Sequence, residues 1–142
     1  MVVTFCGHRE VVNAPLLDAW LNEIAETLIQ EGANCFYLGG YGQFDRAAAA
    51  AIRKQKERYP QIRSVLVLPY LDAVFPTADY DETVYPPLES VPKRYAILRR
   101  NQYMVDKADV VVAYVSRSFG GAYQTLQYAK RKRKRIVSYP LT

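Results

Sequence analysis

The chain has 142 residues, of which 50% are apolar and 23% are charged, a composition typical of one globular domain (1–142) with a buried core. It has no apolar run long enough to span a membrane, no signal-peptide pattern at its start and no metal-ligand spacing around its single histidine and two cysteines, so we expect a cytoplasmic protein without a metal or cofactor. The net charge of +5 comes from a basic block at 130–135, because subtracting its six charges leaves −1, which argues against nucleic-acid binding over the whole surface.

Short apolar runs that predict strands alternate along the chain with longer segments whose apolar residues recur at helical spacing. In chain order the sequence predicts a strand at 2–6, a helix at 14–31, a strand at 35–38, a helix at 45–59, a strand at 64–68, a helix at 93–106, a strand at 110–114, a helix from 121 into the basic block and a strand at 136–139. Asn13 and Asp45 are the expected N-caps of the first two helices.

An acidic loop separates the third predicted strand from the third predicted helix. Its prolines forbid long regular structure over 71–92, and a loop of this length in a compact domain is usually functional or disordered. It contains no basic residue and five acidic ones, which are Asp72, Asp79, Asp81, Glu82 and Glu89.

Uniformly apolar strands that alternate with helices predict a parallel sheet with helices on both faces. With right-handed crossovers, the fold class is α/β, a Rossmann-like doubly wound domain with a mainly parallel sheet of about five strands. Ligands of such sheets bind beyond the carboxyl ends of the strands, where the strand order reverses. We therefore expect the functional site in the segments that follow the strands.

Glycine, hydroxyl and basic residues follow the predicted strands and favour binding of a phosphate or another small anion. Glycines let backbone N–H groups approach a ligand, and helix N-termini add partial positive charge. The glycines at 39–42 fit neither the dinucleotide fingerprint nor the P-loop pattern. The candidate ligand-binding residues are Gly7, His8, Arg9, Gly39, Gly40, Tyr41, Gly42, Asp45, Tyr70, Arg99, Arg100, Asn101, Ser116, Gly120, Gly121 and Thr125.

Several of these candidates also have a structural interpretation. His8 can bond the backbone instead of a ligand, and Asp45 can act as a helix cap. Arg99 and Arg100 cannot face the same way on a helix, so one can bind the ligand while the other pairs with the acidic loop. Tyr41, Tyr70 and Tyr123 are candidates for stacking on a base, although most of the tyrosines are expected to be packing residues. The basic block is interpreted as a solvated helix end, with nucleic-acid binding as the alternative.

Four segments taken together resemble the SLOG superfamily, and within it the small bacterial YpsA-like branch: Thr4–Arg9, Gly39–Asp45, Arg99–Met104 and Gly120–Thr125. The resemblance covers nearly the whole chain. It implies a Rossmann-like fold, a pocket for a nucleotide or nucleotide-derived ligand, and a homo-oligomer. Related branches are the LOG phosphoribohydrolases, sensor domains for nucleotide signals, and the DprA branch, which binds single-stranded DNA.

In the LOG enzymes a helix arginine and a glutamate after the Gly-Gly loop serve catalysis. Arg99 or Arg100 matches the arginine, but the nearest counterpart of the glutamate is Gln127, whose amide cannot act as a general base. Asp45 is the carboxylate that can substitute, so the candidate catalytic residues are Asp45, Arg99 and Arg100. Three functions stay open: binding or sensing of a nucleotide-like ligand, N-glycoside hydrolysis of a nucleoside monophosphate, and single-strand nucleic-acid binding through 130–135.

Overall fold

The computed structural model describes residues 1–71, 74–75 and 77–140, and these form one parallel sheet with helices on both faces. The strands are β1 (Val2–Gly7), β2 (Cys35–Leu38), β3 (Arg63–Val67), β4 (Glu82–Val84), β5 (Val110–Tyr114) and β6 (Arg135–Ser138). The α-helices are α1 (Ala14–Gln30), α2 (Gln43–Lys56), α3 (Lys93–Lys107) and α4 (Gly121–Arg131). A short 3₁₀ turn at Thr77–Asp79 precedes β4.

The sheet order is β4-β3-β2-β1-β5-β6, with every neighbouring pair parallel. From β1 the chain builds outward in one direction through β2, β3 and β4, and then crosses to the other side of β1 to form β5 and β6. The predicted Rossmann-like, doubly wound fold is confirmed. Because the order reverses beside β1, the connections that leave β1 and β5 diverge and open a crevice between them.

The sheet has one strand more than the sequence predicted, because β4 forms inside the acidic loop. β4 pairs with β3 through Val65↔Glu82, and the backbone N–H of Leu68 donates to the carbonyl of Val84 at 2.8 Å. This edge strand is short and mostly exposed, so it lacks the buried apolar pattern that predicts strands. Asp72 and Pro76 of the same loop lie outside the described residues.

The starts of the first two helices differ from the predicted caps. Asn13 occupies the N-cap position of α1, but its φ is 57° and its side chain forms no capping bond. Asp45 is not the N-cap of α2, because Gly42 takes that position with a φ of 93°. The helix begins early because the N–H of Gln43 donates to the carbonyl of Arg9 at 2.8 Å.

The buried core contains both cysteines as free thiols. Burial, and then the charge of Asp45, raises the pKa of Cys6 to about 12, so its thiol stays protonated. Within the described ranges, none of the helices is both long enough and apolar enough to pass through a bilayer.

Candidate functional site

A cavity of about 190 Å³ lies at the carboxyl ends of the strands beside the point where the strand order reverses. Segments far apart in the sequence form its wall: the end of β1, the β2–α2 loop, the middle of α3, the β5–α4 loop and the first turns of α4. This is the place where doubly wound sheets bind ligands.

Nine of the sixteen candidate residues line the cavity: Gly7, His8, Arg9, Tyr41, Asp45, Arg100, Asn101, Gly121 and Thr125. The wall does not include Gly39, Gly40, Gly42, Tyr70, Arg99, Ser116 or Gly120. Five residues that were not among the candidates complete the wall, namely Phe5, Cys6, Ile97, Arg117 and Ala122.

Arg100, and not Arg99, is the α3 arginine that faces the cavity. Its side chain is 2% exposed, and its Nη1 donates to the carbonyls of Gly39 and Val67 at 3.0 and 2.7 Å. Its Nε donates to Oδ1 of Asn101 at 2.9 Å, which fixes the guanidinium at the carboxyl ends of β2 and β3. Arg99 is exposed beside a shallow groove, and it forms no ion pair with the acidic loop in the parts of the chain that the structure describes.

Asp45 approaches this guanidinium from the first turn of α2. A Cβ atom at Gly39 would lie 3.0 Å from both Cζ of Arg100 and Oδ2 of Asp45, so a side chain at this position would crowd both groups. Burial raises the pKa of Asp45 to about 6, and the charge of Arg100 and the hydrogen bond from the Tyr41 N–H at 3.2 Å offset burial only in part. The cavity therefore holds a carboxyl group that changes its charge near neutral pH.

His8 is a buried, neutral wall of the cavity that also links two strand ends. Its Nε2 accepts a hydrogen bond from the Ser116 N–H at 2.8 Å, so the proton of the imidazole lies on Nδ1. Burial, and then the charge of Arg117, lowers its pKa below the ordinary value of 6.5. His8 therefore bonds the backbone, as in the structural interpretation of this residue. Ser116 donates this hydrogen bond through its backbone N–H and does not line the cavity.

The charges around the cavity favour an anion. Arg9, Arg100 and Arg117 contribute three positive charges to the wall and Asp45 one negative charge, which leaves +2 when Asp45 is ionised. The N-terminus of α4 at Gly121 adds the partial positive charge of the helix dipole. Arg9 and Arg117 form no ion pair with any described residue. A phosphate monoester carries roughly −1.5 to −2 at pH 7, which matches this balance.

The first turns of α4 present Thr125 to the cavity but not Gln127. Oγ1 of Thr125 donates to the carbonyl of Gly121 at 2.9 Å and accepts from Nδ2 of Asn101 at 3.3 Å. Gln127 lines a separate groove together with Tyr123, so the residue that the resemblance matched to the LOG glutamate lies outside this cavity. Tyr70 also lies elsewhere, under the ammonium group of Lys93 at 4.7 Å.

The basic block lies at the opposite edge of the sheet, because it connects the end of α4 to the start of β6. Several of its side chains have intramolecular partners. Arg135 pairs with Glu31 at 2.6 Å and Lys132 with Asp106 at 3.8 Å. The interpretation as a solvated helix end accounts for these contacts, and none of them reaches the cavity.

Fold and cavity together define a Rossmann-like α/β domain with a cationic site at the reversal of strand order. No family model matches the chain, and no curated protein matches its sequence. Several solved structures are similar to this chain. DNA processing protein A from Helicobacter pylori has 20% sequence identity and a TM-score of 0.66, with 100% of this chain and 66% of that chain covered, and DNA processing protein A (DprA) from Streptococcus pneumoniae has 16% identity and a TM-score of 0.74, with 99% and 50% covered. The molybdenum cofactor carrier protein from Chlamydomonas reinhardtii has 14% identity and a TM-score of 0.64, with 96% of this chain and 74% of that chain covered.

These similarities show a shared fold. The Helicobacter protein binds single-stranded DNA, and the Chlamydomonas protein carries the molybdenum cofactor. The chain spans about two thirds of the Helicobacter protein and half of the Streptococcus protein.

Proposed function

We propose that this protein is a binding or sensing module that takes up a nucleotide or nucleotide-derived small molecule, with its phosphate group in the cavity between β1 and β5. The observation that carries the proposal is the meeting of Arg9, Arg100 and Arg117 with the start of α4 around one cavity that contains a single carboxyl group. This arrangement holds charge complementary to a phosphate ester in a partly desolvated place, where charge-assisted hydrogen bonds are strong.

The cavity volume limits which part of the ligand is enclosed. At about 190 Å³ it is smaller than the roughly 300–1,000 Å³ of sites that enclose drug-sized ligands. The proposal therefore assigns the phosphate and the sugar to the cavity and leaves the rest of a nucleotide outside it. Asp45 and Asn101 are the polar wall residues suited to sugar hydroxyl groups.

We also propose that the chain is a member of the SLOG superfamily, in its YpsA-like branch, and acts in the cytoplasm as a homo-oligomer. The fold shared with DprA and with the molybdenum cofactor carrier protein supports the superfamily, and segments from all four of its characteristic motifs border the cavity. Light scattering of the purified protein tests the oligomer, and a monomeric mass would contradict it.

Calorimetry with a matched pair of ligands tests the phosphate site. Ribose 5-phosphate should bind and ribose should not, and nucleoside monophosphates should bind as well. Arg117→Gln should weaken ribose 5-phosphate at least about tenfold because it removes an exposed charge from the wall. Arg99→Gln is the matched control, since Arg99 lies outside the cavity. If the folded protein binds none of these phosphates, or if both variants weaken binding equally, the proposal is wrong.

A second candidate function is hydrolysis of the N-glycosidic bond of a nucleoside monophosphate. The observation that favours it is Asp45, a cavity carboxyl group whose pKa is about 6 and which can therefore exchange a proton near neutral pH. Chromatography of the reaction mixture for released base tests it. Absence of released base would exclude the hydrolase, and release that survives Asp45→Asn would exclude a catalytic role for Asp45.

Single-strand nucleic-acid binding is the third candidate, and the DNA-binding Helicobacter protein with the same fold favours it. Binding through 130–135 should weaken steeply with salt. A gel shift that ribose 5-phosphate does not displace would assign the nucleic acid to the basic block, whereas no shift at low salt would exclude this function.

A further inference from the structure

Two aromatic side chains lie exposed next to the cavity. Phe119 is 66% exposed and Tyr41 is 41% exposed, whereas Phe5, Phe36 and Phe44 are buried in the core. A phenylalanine in water forgoes the free energy gained by burial, so an exposed ring beside a ligand site calls for a reason.

Both rings are in contact with arginines of the cavity wall. Cζ of Arg117 lies 5.1 Å from the ring centroid of Phe119. Cζ of Arg9 lies 4.7 Å from the ring centroid of Tyr41, and Nη2 of Arg9 donates to the Tyr41 hydroxyl at 2.7 Å. Tyr41 is itself part of the cavity wall, and Phe119 lies in the β5–α4 loop between the wall residues Arg117 and Gly121. The cation–π contacts therefore keep each ring beside a charge available for a phosphate.

We propose that this opening selects ligands with a planar aromatic base, and that Phe119 is the surface on which the base stacks. The inference rests on the proposed function, because it needs the phosphate and sugar to occupy the cavity and the base to leave through the opening. Arg117 then connects the two parts of the site, since the same guanidinium lines the cavity and contacts the Phe119 ring. Stacking tolerates any base but strengthens with the size of its π-face, so purines should bind more tightly than pyrimidines.

Adenosine monophosphate and ribose 5-phosphate isolate the contribution of the base, because they share the phosphate and the sugar. By calorimetry, the protein should bind adenosine monophosphate about tenfold more tightly than ribose 5-phosphate. Phe119→Ala should abolish this advantage and leave the affinity for ribose 5-phosphate unchanged, whereas Phe119→Trp should keep the advantage. In proton NMR the bound purine protons should shift upfield from the ring current, and Phe119→Ala should remove that shift.

Tyr95→Ala is the matched control. Tyr95 is also an exposed aromatic residue, 48% exposed and in contact with Arg94 at 4.8 Å, but Arg94 is not part of the cavity wall, whereas the partner of Phe119, Arg117, is. This variant should bind both ligands like the wild type. Thermal unfolding of each variant checks that the fold is kept.

The outcomes separate the two proposals. If neither ligand binds, the phosphate site itself is wrong. If ribose 5-phosphate binds and the base adds nothing, or if Phe119→Ala leaves the advantage of adenosine monophosphate intact, the phosphate site stands and the stacking inference is overturned. A loss in Tyr41→Leu that Phe119→Ala does not reproduce would also overturn the assignment to Phe119.

Discussion

Replacement of Asp45 by asparagine should stabilise the protein at neutral pH. Burial is the main reason that the pKa of Asp45 lies at about 6 instead of at its ordinary 3.8. At about 1.4 kcal/mol for each pH unit, an ionised carboxylate at this position costs about 3 kcal/mol of folding free energy. Asparagine carries no charge, and its side-chain oxygen can still accept the hydrogen bond from the Tyr41 N–H. We therefore expect Asp45→Asn to raise the free energy of unfolding at about pH 7.5 by up to about 3 kcal/mol.

The pH dependence of this gain tests its cause. Folded Asp45 holds its proton more tightly than the unfolded chain does, so its raised pKa makes the wild type less stable as the pH rises from about 4 to about 6. The difference between variant and wild type should be absent below about pH 4, grow across this window and stay constant above it. Urea unfolding at several pH values measures it.

Asp81→Asn is a control for which we expect the opposite change in the free energy of unfolding. Burial alone would raise the pKa of Asp81, but hydrogen bonds from Lys56 and Ser64 outweigh burial and lower it. This variant should be less stable than the wild type at neutral pH, and the difference should vanish as the pH falls through the acidic range. If Asp45→Asn gives no stabilisation, or a gain that does not change with pH, the buried charge of Asp45 does not reduce the folding free energy and the reasoning is refuted.

Three further measurements test the local structure. His8, the single histidine, should titrate below 6.5 in a proton NMR experiment because burial and the charge of Arg117 lower its pKa. Arg117→Gln should raise that pKa, and an unchanged pKa would contradict this effect of the Arg117 charge. Arg133 has a φ of 58°, so Arg133→Gly should raise the free energy of unfolding by about 1 kcal/mol in urea, and a loss would refute the strain. A Cβ at Gly7 would lie 2.3 Å from Cδ2 of Phe44, so Gly7→Ala should lower the free energy of unfolding by about 1–3 kcal/mol. An unchanged free energy of unfolding would contradict this prediction and show that the core adjusts to the extra methyl group.

The sequence predicted the parts of the fold that depend on buried apolar residues. The five predicted strands are short apolar runs and the four helices have apolar residues at helical spacing, so their order along the chain and the edge of the sheet that holds the site could be predicted. The edge strand β4 could not, because an exposed strand is held by backbone bonds to its neighbour and by Asp81, which accepts hydrogen bonds from the Ser64 N–H and hydroxyl. Such contacts leave no apolar pattern in the sequence.

The sequence could not predict which side chains of a helix point into the cavity. Arg99 and Arg100 are adjacent, and only the packing of α3 on the sheet decides which one is buried. The spacing from the Gly-Gly pair pointed to Gln127, but the rotation of α4 turns Thr125 toward the cavity and carries Gln127 away from it. Arg117 was the residue that could have been found, since it lies three residues after the end of β5, in the loop at the reversal of strand order.

Departures from local rules gather around the cavity, and this convergence is an argument for function that needs no resemblance. Asp45 in the cavity wall has a raised pKa, and Phe119 is exposed to water beside the wall residue Arg117. Both features oppose folding stability, and proteins keep such features mainly where binding or catalysis needs them. Arg133 shows that a single departure is weak evidence, because its positive φ lies at the far edge of the sheet and only ends a helix. What distinguishes the cavity is that an electrostatic departure lies in its wall and a hydrophobic one lies directly beside the wall, on segments far apart in the sequence.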